Sequence, residues 1–461
     1  MGTGRERRWS SCLRVTILTA LVSLGFHNSG HSAWTDEVIT PPGVDVRHPR
    51  TVSDANGNAH VAYFNAASNT LEYARQSARG WEFTVIDHVV GSITYLDLAP
   101  GCNATFHIAY VVDGWYPDAD YVKYARFSEN VWSVHVIESD QYNYAYATIE
   151  ADEANRAHIS YARRPYSFVP PPPYDLRYTC LTGATVTVET LLTSADWAGI
   201  TAVNMKLQAS GAPVLSFADK PDSGPGRALK FARRENQQWS FQTVVTTTSS
   251  WAFTTCAMEL DSMDAPHLVY DLGSLLHTFW NGVGWTTLPV DASLVEYADV
   301  GVQIDTHNRV HAVFGSGSSP SPVFHGTYGG TAWSVSALSS TNGSAGCIAL
   351  DPADAPFIFY RNSTGALAGS FQTIDASLHQ LVISSIAVSN RTMILGWQAE
   401  PNRLYRVQSS PDFLQWRSIG ATTSCTQAGP IYAASDIVES CTNAPVGQMF
   451  FRVFQRSLPE P

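Results

Sequence analysis

A unit of about fifty residues recurs through most of this 461-residue chain, and it limits the fold more than any other feature. The clearest copy reads Asp54-Ala-Asn-Gly-Asn-Ala-His60-Val-Ala-Tyr63, then Leu71-Glu-Tyr73-Ala-Arg75, then Trp81-Glu-Phe-Thr-Val-Ile86. With His60 as anchor, the equivalent positions are His107, His158, Val214, His267, His311 and Phe357, at intervals of 47, 51, 56, 53, 44 and 46 residues. Three residues past each anchor stands an aromatic: Tyr63, Tyr110, Tyr161, Phe217, Tyr270, Phe314 and Tyr360. Six residues before it, five copies carry Asp: Asp54, Asp152, Asp261, Asp305 and Asp351. Three before it come Gly57, Ala104, Asn155, Gly211, Asp264, Asn308 and Asp354, nearly all of which accept a left-handed backbone. A tight hairpin turn asks for that chemistry, so the anchor segment is the second strand of an antiparallel pair.

Leu71-Glu-Tyr73, Val122-Lys-Tyr124, Leu176-Arg-Tyr178 and Leu229-Lys-Phe231 mark a third strand, and Trp81, Trp132, Trp239, Trp285 and Trp333 open a fourth. Alternation of period two along these runs is that of half-buried antiparallel strands. Four strands per copy, seven copies in a row, predict an all-β protein: a seven-bladed β-propeller over residues 45–385. The seventh copy is degenerate, lacking the Trp and the Tyr-Ala-Arg triplet, which leaves a six-bladed ring with an appendage as the alternative. The repeat resembles the propellers of sialidase-like architecture but carries none of their Ser-x-Asp-x-Gly-x-x-Trp boxes. Ser410-Pro-Asp412 with Trp416 misses both the Gly and the Trp spacing.

Residues 386–461 follow another pattern: Ile394-Leu-Gly-Trp397, Leu404-Tyr405-Arg-Val407, Leu414-Gln-Trp416 and Phe450-Phe-Arg-Val453. This tail resembles the short β-sandwich modules that close many secreted planctomycete and verrucomicrobial proteins, with Asn402 where those carry Gly. The resemblance implies an exported accessory domain without catalytic residues.

Arg5, Arg7, Arg8 and Arg14 precede an apolar run from Val15 to Phe26, and small residues follow at Gly30, Ser32 and Ala33. This reads as a signal peptide over 1–33, followed by a linker over 34–44, in a secreted, cell-surface or periplasmic protein. The run is short for a membrane span, and no second long apolar stretch occurs. The formal charge of −12 becomes about −15 without the leader, which opposes nucleic acid and anionic bilayers as partners. Beyond Cys12 of the leader, six cysteines remain. Cys425 and Cys441 flank a Gly-Pro loop and are expected to form a disulfide, while Cys102, Cys180, Cys256 and Cys347 read as small buried hydrophobes. None stands at zinc-ligand spacing, and Asp54-Ala-Asn-Gly-Asn lacks the remaining ligands of a calcium loop, so neither metal nor cofactor is expected.

The recurrent histidines His60, His107, His158, His267 and His311 are requested by the repeat itself, for hydrogen bonds to a turn or a neighbouring blade. Arg75, Arg126 and Arg233 read likewise as exposed or inter-blade ion pairs. Function is sought where symmetry breaks. The longest insertions lie between the second and third strands of blades 2 to 4: Val112–Asp120, Arg163–Tyr174 with Pro170 to Pro173, and Asp219–Arg227. Crossovers into inner strands contribute Tyr95, Tyr142, Tyr144, Tyr146, Trp197, Trp251 and Tyr297. An aromatic collar with charged loops suits sugar rings and their hydroxyls or carboxylates. The expected ligand-binding set is Tyr95, Trp115, Tyr144, Arg163, Tyr166, Trp197, Asp219, Trp251 and Tyr297.

The sequence therefore points to an exported binding propeller for an extracellular glycan or protein, carbohydrate foremost, and leans away from an enzyme. No nucleophile elbow, zincin, phosphate-loop or dinucleotide motif occurs. The alternative is a polysaccharide lyase or glycoside hydrolase on the same scaffold. It would use Tyr144, Tyr166 and Arg163 with His88, or an acidic pair drawn from Asp113, Asp118, Asp120 and Asp219. A purely structural surface protein is the third class.

Overall fold

The computed structural model describes residues 33–77, 80–114, 119–140, 142–165, 174–181, 186–194, 199–249, 252–253, 255–291, 297–316 and 322–373, and six strands beyond them. The chain divides into two units, one of which is Ser32–Thr373. That unit is a seven-bladed β-propeller. Blade 1 consists of Val46–Ser53, Ala59–Asn65, Thr70–Ser77 and Gly80–His88, hydrogen-bonded in that order. Blades 2 to 5 repeat the order from Ser92–Pro100, Tyr142–Ala151, Thr201–Leu207 and Cys256–Leu260 as inner strands. Blade 6 begins at Tyr297–Ile304, and its outer strand runs on without a break into the inner strand of blade 7 as Trp333–Leu350. Each inner strand neighbours the next around the ring, and that of blade 7 neighbours that of blade 1.

The outer strand of blade 7 comes from the other end of the unit. Ala33–Val38 pairs antiparallel with Leu367–Thr373. Residues 34–38, expected as linker, are therefore part of the ring, because blade 7 otherwise leaves a row of peptide groups unpaired. Trp34 pairs with Gln372 as Trp81 pairs with Gln76, so the Trp missing from the seventh copy is supplied by the start of the chain. The role of this Trp is general. Trp132 meets Tyr73 of the preceding blade edge-on at 5.0 Å, Trp239 meets Tyr178 at 5.4 Å, Trp285 meets Phe231 at 5.7 Å and Trp333 meets His277 at 5.4 Å. Trp34 meets His325 of blade 6 at 5.2 Å in the same manner.

The anchor histidines behave as structural groups. His107 and His158 share Nδ1 with the third-strand hydroxyls of Tyr124 and Tyr178 at 2.7 Å, and His60 does so with Tyr73. His267 and His311 face His277 and His325 instead, at 2.9 and 3.2 Å. The turn aspartates accept backbone N–H groups of their own turns, as Asp54 does from Asn56 and Asn58 at 2.9 and 2.8 Å. The first carboxylate of the calcium-like segment is thus bonded within its own turn, its second oxygen accepting the Asn58 amide at 2.9 Å.

The left-handed position of the turn has a second task that the sequence did not reveal. Asn155, Asp264, Asn308 and Asp354 each accept the N–H of Cys102, Ala209, Ser262 and Thr306, two positions into the turn of the preceding blade. At the seam between blades 7 and 1 the donor position is Pro352, which has no N–H, and the acceptor position is Gly57, whose φ is +82°. A Cβ on Gly57 would stand 3.3 Å from the Pro352 ring, so this seam is made by close approach where four of the other junctions use a hydrogen bond.

Beyond the propeller, Ile383–Ser389, Thr392–Ala399 and Gly429–Asp436 form one three-stranded antiparallel sheet, and Arg403–Ser410, Arg417–Cys425 and Phe450–Ser457 form another. Their side chains, and with them the expected sandwich packing, lie outside the described residues, as do residues 1–32 and the Cys425–Cys441 pairing. Among the described residues no helix is long and apolar enough to cross a membrane.

Candidate functional site

The seven inner strands surround an axial channel containing a cavity of about 690 Å³. Six of the seven carry a bulge towards their starts, between Arg47 and Arg50, Ile93 and Tyr95, Ala145 and Thr148, Thr201 and Asn204, Tyr297 and Val300, and Ser344 and Cys347. Extra residues in that layer turn side chains toward the axis. In blades 2 and 3 those side chains are Tyr95 and Tyr146, half-buried, with ring centroids 4.6 Å apart and a hydrogen bond between them. Burial raises the Tyr146 phenol above its ordinary value, so that ring keeps its hydroxyl proton across the physiological range. His48 occupies the same layer in blade 1, and burial beside Arg50 and Arg47 lowers it to about 4, which leaves the imidazole uncharged.

Deeper in the channel lies a charged layer. The residues paired with the seven anchors are Val52, Ala99, Glu150, Lys206, Glu259, Gln303 and Ala349. In blades 3, 4 and 5 they form a bridge, with Lys206 Nζ 2.8 Å from Glu150 and 3.0 Å from Glu259. Burial pushes Glu150 up to about 7, against the pull of Lys206 and with the help of Glu259. Burial opposes the charge on Lys206 as well, yet its two carboxylates hold it above the ordinary lysine value. One ammonium between two carboxylates leaves the layer with an excess negative charge that a proton on Glu150 removes. Sequence reasoning missed these residues although the signal was present: each stands eight positions before its anchor, a column apolar in three of the seven copies.

Of the expected binding residues, the fold brings Tyr95 to the channel beside Tyr146. It places Tyr144 elsewhere. Only 2% exposed, Tyr144 packs edge-on to Tyr161 in the core between blades 2 and 3. Arg163, its cross-strand partner, is 3.3 Å from Glu138, which also holds Arg177 at 2.9 Å. Asp219 is buried as well, accepting the hydroxyl of Ser194 from blade 3 and lying 3.5 Å from Lys230. Tyr144 and Asp219 thus serve packing and blade-to-blade bonding, because their strands place them between sheets where the loop reading put them on a rim. Trp115, Tyr166, Trp197 and Trp251 lie outside the described residues, and Tyr297 is described only as the start of its strand. On the blade 3 edge, Arg164 stacks over the Tyr174 ring at 5.2 Å, flanking the proline-rich insertion.

Asp305, His307 and Asp354 gather their ligand atoms within 4.8 Å of one another at the turns of blades 6 and 7. Their oxygens are occupied by Arg309 at 2.6 Å, the Thr306 hydroxyl at 2.7 Å and turn N–H groups, so this cluster is bonded as part of the turn system.

No protein-family model and no curated protein matches the chain. Among solved structures it is similar to the ulvan lyase of polysaccharide lyase family PL25, at 13% identity over 72% of this chain and 93% of that one, with a TM-score of 0.48. It is similar to AofleA from Arthrobotrys oligospora at 11% identity, over 68% and 92%, with a TM-score of 0.43. A protein of unknown function from Dyadobacter fermentans shows 11% identity over 73% and 97%, with a TM-score of 0.45. At these identities the likeness concerns fold alone.

Proposed function

We propose that this protein is an exported propeller that binds an extracellular polymer, carbohydrate foremost, on the face carrying the crossovers and the long connections of blades 2 to 4. The observation that carries the reading is the Tyr95–Tyr146 pair: two adjoining, half-buried phenols on the wall of an axial cavity, found in two blades of seven. A repeat asks for the same residue in every copy, whereas recognition asks for particular residues in a few. Flat rings with hydroxyl edges offer a sugar both stacking and hydrogen bonds. Arg164 on Tyr174 adds a guanidinium on the same side of blade 3. The leader-like first 33 residues support export.

A glycan array probed with the full chain, with Tyr95→Ala/Tyr146→Ala beside it, tests the reading. The expected outcome is saturable binding that falls at least about tenfold in the double variant, or about 1.4 kcal/mol. The same samples incubated with anionic polysaccharides should release neither unsaturated products nor new reducing ends. Product formation would replace binding by the lyase or hydrolase alternative, and silence in both assays would leave a structural surface protein.

A further inference from the structure

We infer that a groove between blades 4 and 5, on the face opposite the crossovers, is a second carbohydrate site that takes an uncharged pyranose chain. The groove encloses about 1270 Å³ where the hairpin turns of blades 4, 5 and 6 come together. It arises from a break in the repeat. The third-strand residue paired with the anchor is Arg75, Arg126 and Arg233 in blades 1, 2 and 4, but Phe279 in blade 5. The next residue is Gln76 in blade 1 and Trp280 in blade 5. Blade 7 also has an aromatic, Phe371, at the first of these positions, but blade 5 alone offers two aromatic rings in succession there.

Trp280 is half-buried and braced edge-on by Trp285 at 5.6 Å, which fixes its plane before any ligand arrives. Phe241 is 42% exposed on the blade 4 wall and Met263 81% exposed on the turn, so the apolar lining is uncovered. Gln208 and Gln242 also line the groove and make no side-chain hydrogen bond among the described residues. The nearby carboxylates are occupied: Asp261 accepts the N–H groups of Met263 and Ala265, and Asp264 that of Ala209. Arg233 is 3.1 Å from Glu235, which balances its charge. What remains is aromatic surface with uncommitted amides, a combination that suits C–H faces and hydroxyls, beside carboxylates whose oxygens are engaged by turn N–H groups and whose charge disfavours an acidic chain. The site differs in face and in residues from the channel mouth, and stands or falls separately from it.

The test is intrinsic tryptophan fluorescence of the full chain titrated with neutral β-linked hexasaccharides of glucose, mannose, xylose and galactose. Wild type and Tyr95→Ala/Tyr146→Ala should both show saturable quenching with at least one of them. Trp280→Ala should abolish it, and Gln242→Ala, an exposed position that spares the fold, should weaken binding about tenfold. Absence of saturable binding by wild type, wild-type affinity in Gln242→Ala and Trp280→Ala as judged by calorimetry, or loss of all binding in the channel variant would each overturn the inference.

Discussion

At blades 5 and 6 the anchor histidine meets a second histidine where blades 1 to 3 offer tyrosine, and this difference has a price in acid. Burial, with His267 adding, lowers His277 to about 3, and burial with His311 does the same for His325. Each is neutral in the fold and protonates near its ordinary value of 6.5 in the unfolded chain. Their stabilising contribution is whole above that value and is lost as pH falls toward about 3, at about 1.4 kcal/mol per pH unit for each group. His277→Tyr restores the pairing of blades 1 to 3 and removes a buried Nδ1 that has no hydrogen bond. Urea unfolding should show little change at pH 8 and a gain of about 2 kcal/mol at pH 5. An equal shift at both values would show that the second histidine does not titrate as described. The anchors were visible in the sequence as a column, but their partners were not. Val214 pairs across from a strand carrying Phe231, and Phe357 from one carrying Gly369, so the anchor is His only where the third strand supplies a polar ring.

Among elements, the strand Ala33–Val38 decides whether the ring closes. It contributes hydrogen bonds along six register pairs and the wedge of Trp34 on His325. Trp34→Ala should cost about 2–4 kcal/mol, at or below the range for a buried Trp because the ring is half-exposed. A chain that begins at Thr40 should lose more and expose the edge of Leu367–Thr373, seen as a lower urea midpoint with hydrogen exchange rising first in blade 7. Unchanged exchange there would remove the strand from the closure. The seventh copy read as degenerate because its fourth strand is more than three hundred residues away, and a search by local period finds only neighbours along the chain.

For the whole molecule, the axis is where seven similar strands meet and where small differences accumulate. Lys206 links blades 3, 4 and 5 through Glu150 and Glu259. Lys206→Met would leave two carboxylates facing each other, at a cost of about 2–3 kcal/mol at pH 8, less than for a fully buried pair because the channel admits solvent. Protonation of Glu150 relieves the repulsion. Its folded value, about 7, lies above the ordinary 4.5, so this group favours the fold increasingly as pH falls between those values. Without Lys206, which pulls Glu150 down, that carboxyl rises further and the variant gains more than wild type on acidification, so its defect should shrink from pH 8 to pH 6, measured as a difference in urea midpoints from wild type; a constant defect would indicate lost packing instead of lost charge balance.

The repeat, the turn chemistry and the alternation of each strand were legible in the amino-acid order, because backbone geometry and period-two burial act over a few residues and leave a local mark. That order also contained the column of Glu150, Lys206 and Glu259, eight before the anchor, but nothing local says that a column faces an axis. Tertiary structure alone made that column a bridge, made Trp34 a residue of blade 7, moved Tyr144 and Asp219 into the core and brought Tyr95 against Tyr146. Those outcomes depend on distances between residues far apart in sequence, which are set only when the last blade closes on the first.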